Sequence, residues 1–469
     1  MKKKPSTASF GTVGLPLPSS FGASPLSAGI SFKGEHNERA MQRFKKHDVA
    51  TTLGELTDYE SLESYGVTVT GAQEEEKIEN WDMFEDDIKG NILKAGFDHP
   101  TPIQKYCIPL FISRRSFIAV SPTGSGKTLA YALPLIKLFK GLPVHLHCLV
   151  LVHTRELAAQ IHRQFRAMTE GLDVKVKLAR KHRDFPNAHI VVGTPKRLLM
   201  FEDRVKDAEY VILDEADCLL SHSFVKQTDQ LLSLVPKGAY FALFSATVPP
   251  KVEEAARSFI VNPIKVQVGD SHMVTGRIHQ ELKFVGTEKG KVVELRQRIN
   301  AGEIHLPAIV FVSNRQRAKE LSHEIGVPCA VLTSDQNDKE RAAAIKRFRS
   351  DKAHFLITTD LGGRGIDLVT IKTVVNFDLP PNSITYVHRI GRTARAGREG
   401  YALTLFTTED QQSLKPVASV MKKNGFPVED WMLVDPPRSQ RGARALYEPI
   451  KRKSVSTALW NRKKPRMPK

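Results

Sequence analysis

"FIAVSPTGSGKT", residues 117–128, begins with four apolar residues and ends in a polar loop punctuated by glycine and closed by Lys-Thr. An apolar run of that length, bounded by turn residues, fits a strand buried on both faces. The loop supplies what an anion needs at the carboxyl end of such a strand. Gly124 and Gly126 let backbone N–H groups turn inward on a phosphate, Lys127 brings a point charge, and the Thr128 hydroxyl suits Mg2+. "LAYALPLIKLF" (129–139) follows with helical character. The strict pattern GxxxxGK[ST] is not met, because Ser121 stands where its first glycine belongs. Residues Ser121, Pro122, Thr123, Gly124, Ser125, Gly126, Lys127 and Thr128 are read as a cradle for nucleotide phosphates.

The same alternation recurs outward from this stretch. "CLVLV" (148–152), "IVV" (190–192), "VIL" (211–213) and "FALF" (241–244) complete one series. A second runs "AIVFV" (308–312), "CAVL" (329–332), "FLIT" (355–358), "TVVNF" (373–377) and "ALTLF" (402–406). Apolar strands alternating with helices make a parallel sheet covered on both faces, so the fold class is α/β with two such lobes. Polar clusters come directly after the strands: "HTREL", "GTP", "DEAD" and "SAT" in the first lobe, "TDLGGRGID" in the second. Ligands of open α/β sheets bind outside the carboxyl ends of the strands, which places a site on that edge.

"VILDEAD" (211–217) adds acids to the cradle. Asp214 at the strand end suits Mg2+ held through water, and Glu215 can orient and deprotonate an attacking water. "YVHRIGRTARAGREG" (386–400) sets arginines at 389, 392, 395 and 398. Steps of three on an α-helix drift by about 60° each, so four arginines do not form one stripe. Gly391, Gly397 and Gly400 also disfavour a regular helix. Two or more of these arginines are therefore read as aimed at one polyphosphate.

The chain has 469 residues, 41% hydrophobic and 26% charged, enough for two or three domains with real cores. No apolar run approaches the length of a membrane span, so no membrane partner is expected. The four cysteines form no CxxC pair, which argues against zinc and a disulfide scaffold. The net charge is +18, and residues 438–469 hold eleven Lys or Arg against one Glu, a net of +10 that leaves +8 for the rest. Such a tail attracts nucleic acid or an acidic partner, and "KRK" (451–453) and "RKKPR" (462–466) suit nuclear import. The expected domains are a largely flexible extension (1–78), a first lobe carrying the phosphate cradle (79–270), a linker (271–277), a second lobe (278–430) and a basic tail (431–469).

The ordered series "GFDHPTPIQ" (96–104), "SPTGSGKT", "HTRELAAQ" (153–160), "GTPKR" (193–197), "DEAD" (214–217), "SAT" (245–247), "IVFVSN" (309–314), "TTDLGGRGID" (358–367) and "HRIGRTAR" (388–395) resembles the DEAD-box RNA helicases. The resemblance covers roughly residues 79 to 430. It implies two tandem RecA-like lobes, flexible terminal extensions, ATP and Mg2+ as cofactors, and RNA as partner. Gln104 would read adenine, as a side-chain amide can, and Asp367 would contact the ribose. The usual position of a base-stacking aromatic falls near Glu79, so Trp81 or Phe84 would have to substitute. Arg392 and Arg395 would act as fingers on the γ-phosphate across the cleft, and His388 would couple the ATP and RNA sites. Ser245 and Thr247 would link hydrolysis to RNA release. Thr154, Arg155, Thr194, Arg197, Arg341 and Thr359 would hold the RNA backbone, with low sequence specificity. Arg389 and Arg398 are left to structural or RNA roles.

Two departures bear on the RNA contacts: His153 replaces the usual proline, and Lys196 the usual glycine of "TPGR". The family's Gly-Gly between those motifs is also missing. That absence, "NILKAGF" with "PTPIQ", "GFPVEDW" (425–431) and the basic tail resemble the Rok-type subgroup. This implies small-subunit pre-rRNA or snoRNA duplexes as substrate, a nucleolar location, and a protein cofactor within a pre-ribosomal particle, the chain itself being a monomer. The rival readings are a helicase of another RNA pathway and an ATP-dependent RNA clamp with little turnover. Lys127, Glu215, Arg392 and Arg395 are all present, which favours the enzyme.

Overall fold

The computed structural model describes residues 59–71, 77–179, 187–221, 224–269, 277–363, 371–394 and 398–434. Arg395, Asp367, the expected linker apart from Arg277, and the basic stretch 438–469 lie outside the described residues.

Two sheets form among the described residues. The first comprises β1 (Val67–Thr70), β2 (Phe117–Val120), β3 (Cys148–Leu151), β4 (Val176–Leu178), β5 (Ile190–Gly193), β6 (Tyr210–Asp214), β7 (Tyr240–Ser245) and β8 (Ile264–Val268). Its spatial order is β1-β8-β2-β7-β6-β3-β5-β4, parallel except for the antiparallel β1–β8 pair. The second comprises β9 (Ile278–Phe284), β10 (Ala308–Phe311), β11 (Cys329–Leu332), β12 (Phe355–Thr358), β13 (Thr373–Asn376) and β14 (Gly400–Phe406). Its order is β11-β12-β10-β13-β14-β9, parallel throughout.

The central strands are buried on both faces, which is why they read as unbroken apolar runs. Successive residues of a strand point to opposite faces and so feed separate cores. Phe117, Ala119, Val150, Val192 and Ile212 pack beneath the buried helix Lys127–Phe139, while Ile118, Leu149, Leu151, Val191 and Leu213 fill the opposite core. The edge strands are different. β1 alternates half-buried valines with exposed threonines, although it lies within the stretch read as an extension.

Because β2, β7, β6, β3 and β5 are parallel neighbours, the segments after them share one edge in a fixed order. It runs from the phosphate cradle through "SAT" and "DEAD" to "HTREL" and finally "GTPKR". That order separates a nucleotide half from a second polar half. No helix among the described residues is long and apolar enough to cross a membrane.

Candidate active site

The cradle is held from beneath. Thr101 caps the helix Pro102–Ile112, its own N–H donating to Gln104 Oε1 at 2.9 Å in a capping box. Gln104 Nε2 donates to the Gly126 carbonyl at 3.0 Å, and Thr101 Oγ1 donates to the Ser125 carbonyl at 2.8 Å. Gln104 is fully buried. It therefore braces the phosphate loop here, with an amide already bonded at both ends, and does not present that amide at the surface. Gly126 has φ +85°, and a Cβ there would lie 2.5 Å from Gln104 Nε2, so only glycine fits. The Ser121 and Ser125 hydroxyls share a 2.6 Å hydrogen bond. Lys127 Nζ donates to the carbonyls of Ser121 and Pro122, each at 2.7 Å, folding its charge over the loop. The Ser121 N–H donates to the Ser245 carbonyl at 3.1 Å, which joins the cradle to "SAT".

Beside the cradle, β6 delivers the acids. Tyr131 Oη, on the buried helix Lys127–Phe139, donates to Asp214 Oδ2 at 2.9 Å. Burial, and then the charge on Glu215, push the Asp214 carboxyl up to about 6. A buried carboxylate short of positive charge fits a divalent cation, and Asp214 with Thr128 would hold Mg2+ there. Glu215 turns the chain with φ +50° and ψ +53°, a left-handed conformation that costs a non-glycine residue roughly 1–2 kcal/mol. Strain of this kind gathers at functional turns.

Side chains from the second lobe meet these acids. His388 Nε2 lies 3.0 Å from Asp217 Oδ2, which also accepts from Thr247 Oγ1 at 2.6 Å. Ser245 Oγ donates to the Thr247 carbonyl at 2.7 Å. Burial alone would raise the Asp217 carboxyl, but His388 and the hydroxyls of Thr247 and Ser245 outweigh it and hold the group far below its usual range. Arg392 Nη2 stands 3.9 Å from Glu215 Oε1. Burial pushes Glu215 up, and the charges of His153, Arg392 and His388 bring it below normal. A Cβ on Gly391 would lie 2.7 Å from Thr123 Oγ1, so the arginine run packs directly on the cradle.

The three described arginines of the run divide. Arg389 is structural: it binds both oxygens of Asp360 at 2.6 and 3.0 Å and the Asp378 carbonyl at 2.7 Å, with its guanidinium over the Phe311 ring. Arg392 faces the acids, and Arg398 is exposed.

Thr154 and Arg155 follow β3, and Thr194 and Arg197 follow the neighbouring β5. Thr154 caps the helix Arg155–Met168 by accepting from the Leu157 N–H at 3.2 Å, with Arg155 exposed beside it. Lys196 is exposed and Arg197 partly so. Thr359 is buried after β12 and accepts from the Gly362 N–H at 3.3 Å.

Three sequence expectations need correction. Trp81 and Phe84 are core residues, 2% and 4% exposed, with Trp81 Nε1 donating to the Phe97 carbonyl, so neither can stack on a base. Arg341 is not on a surface open to an RNA backbone. Its guanidinium binds Glu156 across the lobes at 2.6 Å, the Thr333 carbonyl at 2.9 Å and the Gly362 carbonyl at 3.3 Å. His153 does not face RNA, because its side chain is wholly buried with Nδ1 3.1 Å from Glu215 Oε2. Asp217, Tyr131 and Glu156 were not singled out by the sequence. Asp217 could have been, as the last acid of "DEAD".

A phosphate cradle and acids on one parallel sheet, with arginine and histidine delivered from a second, define a two-lobed nucleotide hydrolase. Residues 101–255 match the family described as DEAD/DEAH box helicase, and residues 290–397 match the helicase conserved C-terminal domain. Over 392 residues the chain is 37% identical to the ATP-dependent RNA helicase ROK1 of Meyerozyma guilliermondii, covering 78% of this chain and 73% of that protein. It is 36% identical over 392 residues to "Probable ATP-dependent RNA helicase DDX52" of Bos taurus, covering 78% and 65%. S. cerevisiae Dbp5 bound to RNA and ADP BeF3 matches with a TM-score of 0.67 and 27% identity, over 75% of this chain and 95% of that one. The chain belongs to the DEAD-box family of ATP-dependent RNA helicases. Its fold is the two-lobed RecA-like α/β architecture of that family.

Proposed function

We propose that this helicase hydrolyses ATP only when RNA draws its lobes together, and that it acts on pre-rRNA or snoRNA duplexes during small-subunit ribosome maturation. The observation that carries the first part is the approach of Arg392 and His388, from one lobe, to Glu215 and Asp217 on the other. Lys127 and the loop N–H groups bind the phosphates, and Gln104 turns from its brace to read adenine. Glu215 takes the proton of the attacking water. Arg392 and Arg395 meet the charge that develops on the γ-phosphate, and Asp367 holds the ribose. Mg2+ at Thr128 and Asp214 would screen the phosphate oxygens. Ser245, Thr247, Asp217 and His388 carry the coupling, since the hydrogen-bonded path from the cradle runs through them to the second lobe. Thr154, Arg155, Thr194, Arg197 and Thr359 hold the RNA backbone.

The second part is supported by likeness to helicases named ROK1 over most of the chain and by the basic tail. The protein works as a monomer in the nucleolus, within a particle where a protein cofactor tunes turnover. Depleting it and following the precursors of small-subunit rRNA tests this reading. Accumulated precursor supports it, and an unchanged precursor pattern moves the enzyme to another RNA pathway.

Removing residues 438–469 takes away a net charge of +10. RNA affinity is expected to fall and its salt dependence to flatten, by about 0.7 in log–log slope for each single-strand phosphate that the tail no longer neutralises. RNA-stimulated hydrolysis at saturating RNA stays within about twofold, because the site lies elsewhere. An unaltered salt slope in equilibrium binding would show that the tail is not an RNA anchor.

A further inference from the structure

We propose that His153 is a positioning residue for Glu215, anchoring one carboxylate oxygen so that the other stays directed at the cleft between the lobes. The inference rests on the reading of Glu215 as the base that activates water. The sheet register brings the two together. Leu151 pairs with Leu213 in the parallel β3–β6 ladder, so two residues further on, His153 stands beside Glu215. The carboxylate is divided between two side chains, with His153 Nδ1 3.1 Å from Oε2 and Arg392 Nη2 3.9 Å from Oε1. One contact lies within the first lobe. The other comes from the second lobe.

The imidazole has no route to solvent, its side-chain exposure being 0%, and the Phe224 ring closes on it edge-on at 6.0 Å. A buried imidazole must find its polar partners within the protein. Glu215 is the acid that this imidazole reaches, with Nδ1 3.1 Å from Oε2. Fixing Oε2 matters because a glutamate has three side-chain torsions, and a base must lie within hydrogen-bond reach of the proton it takes. Proline, the usual residue of the resembling family at this place, carries no polar atom and could not hold the carboxylate. The departure at 153 is therefore a change in the hydrolytic centre rather than in the RNA contacts.

The test compares H153L and H153Q, which both fill the space while only glutamine keeps a hydrogen-bond donor, with E215Q and the double variant H153L/E215Q. RNA-stimulated steady-state hydrolysis is measured together with KM for ATP and half-saturation by RNA. H153L is expected to lower kcat by about tenfold or more with KM and RNA half-saturation within about twofold, a pattern that marks loss at the transition state. H153Q should recover to within about threefold of the parent. The double variant should be no slower than E215Q alone, because residues acting as a unit are not additive. Parental kcat in H153L, or a loss that appears in KM or RNA half-saturation instead, overturns the inference. Should H153L not fold, H153Q decides by itself, and a tenfold loss there overturns it. Turnover that survives in E215Q removes the base reading of Glu215 whatever the His153 variants do.

Discussion

Arg392→Ala is expected to slow RNA-stimulated ATP hydrolysis at least about a hundredfold while leaving ATP binding nearly intact. The residue belongs to the second lobe and reaches the acids of the first, so it takes no part in building the cradle. The hydrogen bonds from Thr101, Gln104 and Lys127 that hold Ser121, Pro122, Ser125 and Gly126 lie within the first lobe. Binding therefore survives, and the loss falls on the step in which charge develops. The variant also removes one of the cations that offset burial at Glu215. With it gone, burial gains ground and the Glu215 carboxyl moves upward, so the acid limb of the pH profile should shift to higher pH. Steady-state kinetics across pH, with ATP affinity measured separately, checks both parts. Unchanged turnover would remove Arg392 from the hydrolytic step. Equal losses in binding and turnover would place it in ground-state recognition.

How much of this was legible in the chain follows from burial. Strands such as β2 and β12 are enclosed on both faces, so runs of three or four apolar residues announce them with boundaries that match the fold. β1 and β4 lie at the sheet edges, where side chains reach solvent, and their short stretches resemble loops. The site was legible as residue types at strand ends, because topology fixes where those ends gather. What each side chain touches was not. Arg341 and Glu156 are far apart in sequence and meet only because the two lobes pack together. Trp81 looked available because its neighbours are polar, whereas it is anchored inward on the Phe97 carbonyl. His153 read as a missing proline beside an RNA motif. Its partner across the sheet becomes visible only when β3 and β6 are known to be neighbours.

Gly126→Ala is expected to cost about a hundredfold in kcat/KM, mostly through ATP binding, whereas Gly124→Ala should cost about tenfold or less. Both glycines lie in the left-handed region, at φ +83° for Gly124 and +85° for Gly126, so the backbone penalty of roughly 1–2 kcal/mol is common to the pair. Their surroundings separate them. A Cβ at 124 meets nothing within 4 Å, but one at 126 falls 2.5 Å from Gln104 Nε2 and 3.1 Å from Thr101 Oγ1. Both neighbours are buried, and both are bonded to the loop. Making room means breaking the Gln104 bond to the Gly126 carbonyl or moving the capped helix Pro102–Ile112. Either displaces the N–H groups expected to hold phosphate. The comparison thus separates steric support of the cradle from backbone strain alone. Equal losses in the two variants would mean that conformational freedom is all the loop requires, and that the brace from Thr101 and Gln104 contributes nothing to nucleotide binding.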